Sequence, residues 1–142
     1  MAKIPERLHA MINAALADGA PCLVGTAARD GWPQISPKGS VLVLDDQTLA
    51  YWERVRRTAQ ANVTANPKIV VWYRNPAKAD QLPRGAAVRF YGTASAHESG
   101  ALADRVWEKC VPAERDRDPE RKGLAVVIKV ERVEDLAGGA VT

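Results

Sequence analysis

The 142-residue sequence contains only two histidines and two cysteines, and neither type clusters. His9 and His97 have no second ligand at metal spacing, so no metal centre is expected. Cys22 and Cys110 lie far apart and form no CxxC pair, which argues for two reduced thiols and against a disulfide scaffold. Neither cysteine has a histidine beside it in sequence to activate the sulfur. No apolar run approaches the roughly 20 residues of a membrane span. The stretch from Met1 to Ala20 is charged and amphipathic, unlike a signal peptide. These absences point to a cytoplasmic protein with no membrane partner. Charge of one sign is also scarce. With 20 basic against 17 acidic residues, the net charge of +3 is too balanced for a nucleic-acid coat. Aromatics are few, and half of them are tryptophan: four Trp, three Tyr and one Phe.

What is present is an ordinary globular composition, 46% apolar and 26% charged, at the usual size of one domain spanning 1–142. Leu8, Met11, Ile12, Ala15 and Leu16 recur at helical spacing, and Pro5 and Gly19 suit the two ends, so a helix is expected over about 5–17. Strands are expected over 21–28, 48–53, 68–74, 86–97 and 124–133. The stretch 33–44 reads as one further strand, interrupted at Ser36-Pro37-Lys38-Gly39-Ser40. Turn signals stand at 29–32 and 45–47, and Gly92 marks a bulge or bend. Helices are expected over 56–66 and 99–111, with a loop over 75–85. The segment 112–123 carries dense charge of both signs and reads as exposed. Short turns between early strands favour antiparallel pairing. The fold expected is mainly β (α+β), a six-stranded antiparallel split β-barrel with flanking helices, because closure removes exposed edges.

Two segments break local rules. Arg54, Arg56 and Arg57 crowd the start of the middle helix, where the helix dipole and free N–H groups disfavour cations. A bound phosphate would resolve the conflict: it accepts the N–H groups and matches guanidinium forks, and Thr58 adds a hydroxyl or a cap. The plainer reading, three solvated arginines, is about as well supported by the cluster alone. In the second segment, Pro37 removes a ladder donor and Gly39 permits close approach, so backbone groups open toward a flat heterocycle. Taken alone, an edge strand with a proline-induced bulge is the better account of that segment.

Taken in order, these residues resemble the FMN-binding split-barrel family related to pyridoxamine 5′-phosphate oxidase. The resemblance runs through Asp30-Gly31-Trp32-Pro33-Gln34-Ile35-Ser36-Pro37-Lys38-Gly39-Ser40, then 44–49, then 56–67 and the strand that follows. It implies a homodimer holding two FMN molecules at its interface. Ser36, Pro37, Lys38, Gly39 and Ser40 would face the isoalloxazine ring. Trp52, Glu53, Arg54, Arg56, Arg57 and Thr58 would hold the ribityl phosphate. Gln81, Arg84 and Trp107 are candidates to complete the pocket of a partner subunit.

The chain departs from true pyridoxamine phosphate oxidases at its end. It runs Glu134-Asp135-Leu136-Ala137-Gly138-Gly139 and lacks their arginine- and tryptophan-bearing substrate segment. Oxidation of B6 vitamers is therefore not expected, and the chain looks like the short members of the family. Some relatives take the deazaflavin F420 and others haem. No acid, base or nucleophile constellation stands out, which suits a flavin-dependent oxidoreductase whose cofactor does the chemistry, with a nicotinamide or a redox protein as electron donor. A non-catalytic flavin carrier fits as well. A nucleic-acid-binding barrel ranks last, because the basic residues are focal and not interleaved with aromatics. Lys38 near the ring's pyrimidine edge would favour the reduced, anionic flavin. Glu98 and Asp104 read as solvated acids, and the tryptophans as core or interface residues.

Overall fold

The computed structural model describes residues 2–55 and 58–142, with the side chains of Thr58 and Ala59 outside the description. Seven strands form one sheet: β1 (Cys22–Ala27), β2 (Pro33–Lys38), β3 (Leu42–Asp45), β4 (Thr48–Glu53), β5 (Lys68–Arg74), β6 (Ala87–His97) and β7 (Leu124–Glu134). The helices are α1 (Glu6–Asn13), α2 (Thr58–Ala65), α3 (Ala101–Lys109) and α4 (Pro112–Arg115), with a 3-10 stretch at Pro76–Gln81. Among the described residues no helix is long and apolar enough to cross a membrane.

The strand order is β2-β1-β5-β6-β7-β4-β3, and every pairing is antiparallel. The two edges, β2 and β3, are consecutive in the chain. The sheet therefore curls until its edges meet at the link 39–41, giving a barrel split at that point. There are seven ladder strands and not six, because the expected strand over 33–44 divides there. Pro37 has no N–H to donate and sits on the edge strand β2, where none is needed. The bulge expected at Gly92 is present: the β6–β7 register shifts between Tyr91 and Gly92. Any side chain at Gly92 would run into the Lys129 carbonyl.

Alternation along the strands separates two cores. Cys22, Val24, Val71, Tyr73, Phe90, Leu49, Tyr51, Val126 and Ile128 point into the barrel, plugged by Leu8, Met11 and Ile12 of α1. On the outside, Leu42, Leu44, Ala50, Trp52, Ala125 and Val127 pack under Ala103 and Val106 of α3 and Cys110 just past its end. Strands β4 and β7 are thus buried on both faces. The outer face of β1, β2 and β5 has no such roof among the described residues.

Helix α1 is shorter than its periodicity suggests. Turns follow it to Gly19, which takes φ 71°, a conformation suited to glycine. The segment 112–123 is not simply exposed: it contains α4, and Glu114 and Asp118 are buried.

Candidate functional site

The two rule-breaking segments meet in space. Pro37, Lys38, Gly39 and Ser40, at the end of β2, line one cavity with Trp52, Glu53, Arg54 and Val55, at the end of β4. Its volume is about 80 Å³, and Glu114 and Arg117 from the 112–123 segment form the remaining wall. Arg54 follows β4, outside the strand, and is exposed. Arg56 and Arg57 lie outside the described residues, as does the side chain of Thr58. Ser36 pairs with Val24 and receives a 3.4 Å hydrogen bond from Gln34, one residue short of the cavity wall.

A buried ion pair spans the cavity. Lys38 Nζ lies 3.1 Å from Glu53 Oε1 and 3.0 Å from Oε2. The two contacts differ in kind: the first is a directed hydrogen bond, and the second is charge proximity only. Glu53 has only 2% of its side chain exposed and Lys38 17%, so the acid sits deeper and the ammonium caps it. Glu53 Oε1 also accepts from the Val55 N–H at 3.3 Å. Lys38 stands 5.9 Å from the Tyr51 ring centroid. The β4 carboxylate thus compensates the Lys38 charge.

Ser40 is committed to the fold. Its hydroxyl donates to the Trp52 carbonyl at 3.1 Å and accepts from the Trp52 N–H at 3.0 Å. These bonds stitch the β2–β3 link to β4 and so place Lys38 beside Glu53. Gly39 carries no side chain where one would strike Glu114 and Leu16, so the link can press against α4.

Asp118 seats the outer wall. Its carboxylate accepts from the Trp52 indole N–H at 2.8 Å, the Gly123 N–H at 2.8 Å and the Lys122 N–H at 2.9 Å. Burial pushes this carboxyl up. The hydrogen bonds from Trp52, Gly123 and Lys122, with the charge of Arg54, outweigh burial and hold it below its ordinary value. Gly123 is needed here, since a Cβ would collide with the Glu53 carbonyl. Arg121 lies over both Trp52 and Trp107, at 5.6 and 5.7 Å, and pairs with the exposed Asp104. Trp52 and Trp107 meet edge to face at 5.0 Å. Sequence reasoning missed Glu114, Arg117 and Asp118, although Pro112 and Gly123 bracket the segment as punctuation.

The remaining candidates are scattered. Trp107 packs on Trp52 of its own chain. Gln81 and Arg84 are exposed in the connection between β5 and β6. The start of β6 pairs with the end of β7, whereas the cavity lies beside the start of β7. One chain therefore does not bring Gln81 and Arg84 to its own cavity. Trp32 is 75% exposed, outside either core. His97 bonds to Ser95 at 2.8 Å and His9 to the Ile4 carbonyl at 3.0 Å. Among the described residues no group of three metal-ligating side chains converges. Both cysteines are free and buried, and burial pushes Cys22 up to about 12 and Cys110 to about 11, leaving neutral thiols. A larger depression of about 550 Å³ lies between the chain ends and the end of β7. It is mostly aliphatic, and its Arg132 is tied to Glu134 at 2.8 Å.

A flavin mononucleotide needs cations for its phosphate, close backbone approach, and an apolar surface for its ring. Arg54 and Arg117 answer the first need, Gly39 the second, and the unroofed outer sheet face the third. These residues fit the group. The cavity of one chain does not enclose it, since about 80 Å³ falls below the roughly 300 Å³ at which small-molecule sites begin.

The family model for pyridoxamine 5′-phosphate oxidase matches residues 8–137. Among curated proteins, none matches the chain. Solved structures do. HupZ of Group A Streptococcus shares 27% identity over 98% of both chains, with a TM-score of 0.70. A putative pyridoxamine 5′-phosphate oxidase from Lactobacillus delbrueckii shares 24% identity over 95% of this chain and 100% of its own, with a TM-score of 0.67. An FMN-binding protein from Syntrophomonas wolfei shares 15% identity over 95% and 88%, with a TM-score of 0.70, a likeness of fold. With a family match along nearly its whole length and a split barrel of the same architecture, the chain belongs to the pyridoxamine 5′-phosphate oxidase family.

Proposed function

We propose that this protein binds FMN between two copies of the chain and serves as a flavin-dependent oxidoreductase. The observation that carries the reading is the convergence of Pro37–Ser40 with Trp52–Arg54 in one cavity edged by cations. When bound, the flavin supplies the hydride or electron chemistry. The chain's own residues hold and shape the site. Arg54 and Arg117 offer guanidinium groups to a phosphate. Gly39 lets the backbone approach, and Ser40 and Asp118 lock the two walls through Trp52.

The second copy is supported by the bare sheet face. Ile35 is 72% exposed, and Leu23, Val70 and Trp72 are only half buried around it. Two depressions of about 320 and 350 Å³ share Gly25, Ile35 and Val70. Arg89 lies over Trp72 at 5.4 Å and Arg132 over Tyr91 at 4.0 Å, the residue types that anchor interfaces. Such a contiguous apolar patch favours burial against another surface. A partner would also enclose what one chain leaves open.

The test is the visible spectrum of the purified protein and the mass of its released chromophore. A flavin spectrum with the mass of FMN supports the reading, and a mass matching F420 redirects it to the deazaflavin. A colourless protein that takes up no added FMN overturns it. Reduction of the bound flavin by NADH or NADPH alone would assign an enzyme, and its absence with both nicotinamides a carrier.

A further inference from the structure

The cofactor cavity contains a carboxylate that an anion site does not need. Glu53 is almost wholly buried, lines the cavity, and pairs with Lys38. A buried pair gains from Coulomb attraction and pays in desolvation, so its presence is weak evidence for stability alone. Its placement is informative. On β4, alternation points Tyr51 and Glu53 the same way, into the barrel, while Trp52 points out to α3. The Tyr51 hydroxyl has no hydrogen-bond partner among the described residues. Lys38 and Glu53 both line the cavity, the ammonium being the more exposed of the two and 5.9 Å from the Tyr51 ring centroid. A ligand in the cavity meets a dipole with its positive end outward, and not an isolated charge.

The consequence is electrostatic. Reducing an oxidised flavin ring to its monoanion consumes two electrons and one proton and leaves one negative charge in the site. A lone ammonium there would favour that anion. An ammonium already compensated by a carboxylate favours it less. We propose that Glu53 sets the redox poise of the bound cofactor by cancelling part of the charge Lys38 presents. The inference rests on the flavin reading above. It makes Glu53 a positioning residue that acts through Lys38.

The test is a double-mutant cycle on the holoprotein. Wild type, Glu53→Gln, Lys38→Met and the double variant are loaded with FMN. Each is reduced anaerobically by dithionite, which supplies the electrons, against a reference dye of known potential. Glu53→Gln is expected to raise the preference for the reduced ring at least tenfold, a shift of about +30 mV for a two-electron couple. Lys38→Met is expected to lower it by a similar factor. The double variant, in which both charges are gone, should return to within about threefold of wild type.

A merely structural role would lower stability in both single variants without moving the potential in opposite directions. Single variants that shift the same way, or not at all, while holding FMN overturn the inference and leave the flavin reading standing. Wild type that takes up no FMN overturns both. If Lys38→Met does not fold because Glu53 is left buried and unpaired, Glu53→Gln decides: a shift of tenfold or more toward the reduced ring supports the proposal, and a smaller or opposite shift overturns it.

Discussion

The two halves of the outer sheet surface differ sharply. Over β4 and β7, α3 roofs Ala50, Trp52, Ala125 and Val127, and the Asp118 carboxylate locks the edge through Trp52. Over β1, β2 and β5, an equally apolar set, Leu23, Ile35, Val70 and Trp72, is left half buried or bare. One sheet thus has a finished outer face and an unfinished one, and the cavity lies where β2 from the bare half approaches β4 from the covered half. The chain spends its own helix on stabilising one half. The other half is where assembly can act.

That contrast can be broken most severely at Trp52. Trp52→Ala removes a buried ring and the donor to Asp118, and is expected to cost about 3–5 kcal/mol in urea unfolding. A cost under about 1 kcal/mol would mean that the roof is not a real core. Asp118→Asn weakens three hydrogen bonds and is expected to cost about 1–3 kcal/mol near neutral pH. Its pH dependence has a definite sign. The folded carboxyl titrates below its unfolded value, so its contribution is fully present above the unfolded value and is lost as pH falls through the folded one. The gap between wild type and Asp118→Asn should therefore shrink as acid is added, and a gap that grows would contradict the assignment.

The bare half should respond in the opposite way. Ile35→Glu is expected to change protomer stability by no more than about 0.5 kcal/mol, because the side chain touches solvent. It should convert a dimer to a monomer in sedimentation and weaken FMN retention. A variant that stays dimeric would place the interface elsewhere. The smallest effect is expected at the thiols. Cys22 and Cys110, one inside the barrel and one at the end of α3, should resist a thiol reagent at about pH 8 until the protein is unfolded.

Much of this was legible in the amino-acid order. Strands 48–53 and 68–74 begin where the turn at Asp45–Gln47 and Pro67 place them, because turn chemistry and two-residue alternation are local properties. Gly92 announced its bulge, and the SPKGS and arginine-bearing segments broke local rules at positions that became two walls of one cavity. The segment 112–123 was not legible. Its charges look solvated until Trp52, 66 residues away, meets Asp118. Strand 33–44 read as one piece because the split at 39–41 depends on Ser40 bonding to Trp52 across the link.

The same division holds for the charges. Composition, periodicity and punctuation were enough for a small antiparallel barrel and for two segments that break local rules, since each of those signals lies within a few neighbouring residues. Whether Lys38 stands alone or compensated, which half of the sheet is covered, and that Arg117 joins the cavity all required the folded chain. Burial and ion pairing depend on what distant segments bring within about 4 Å, and no local pattern encodes that distance.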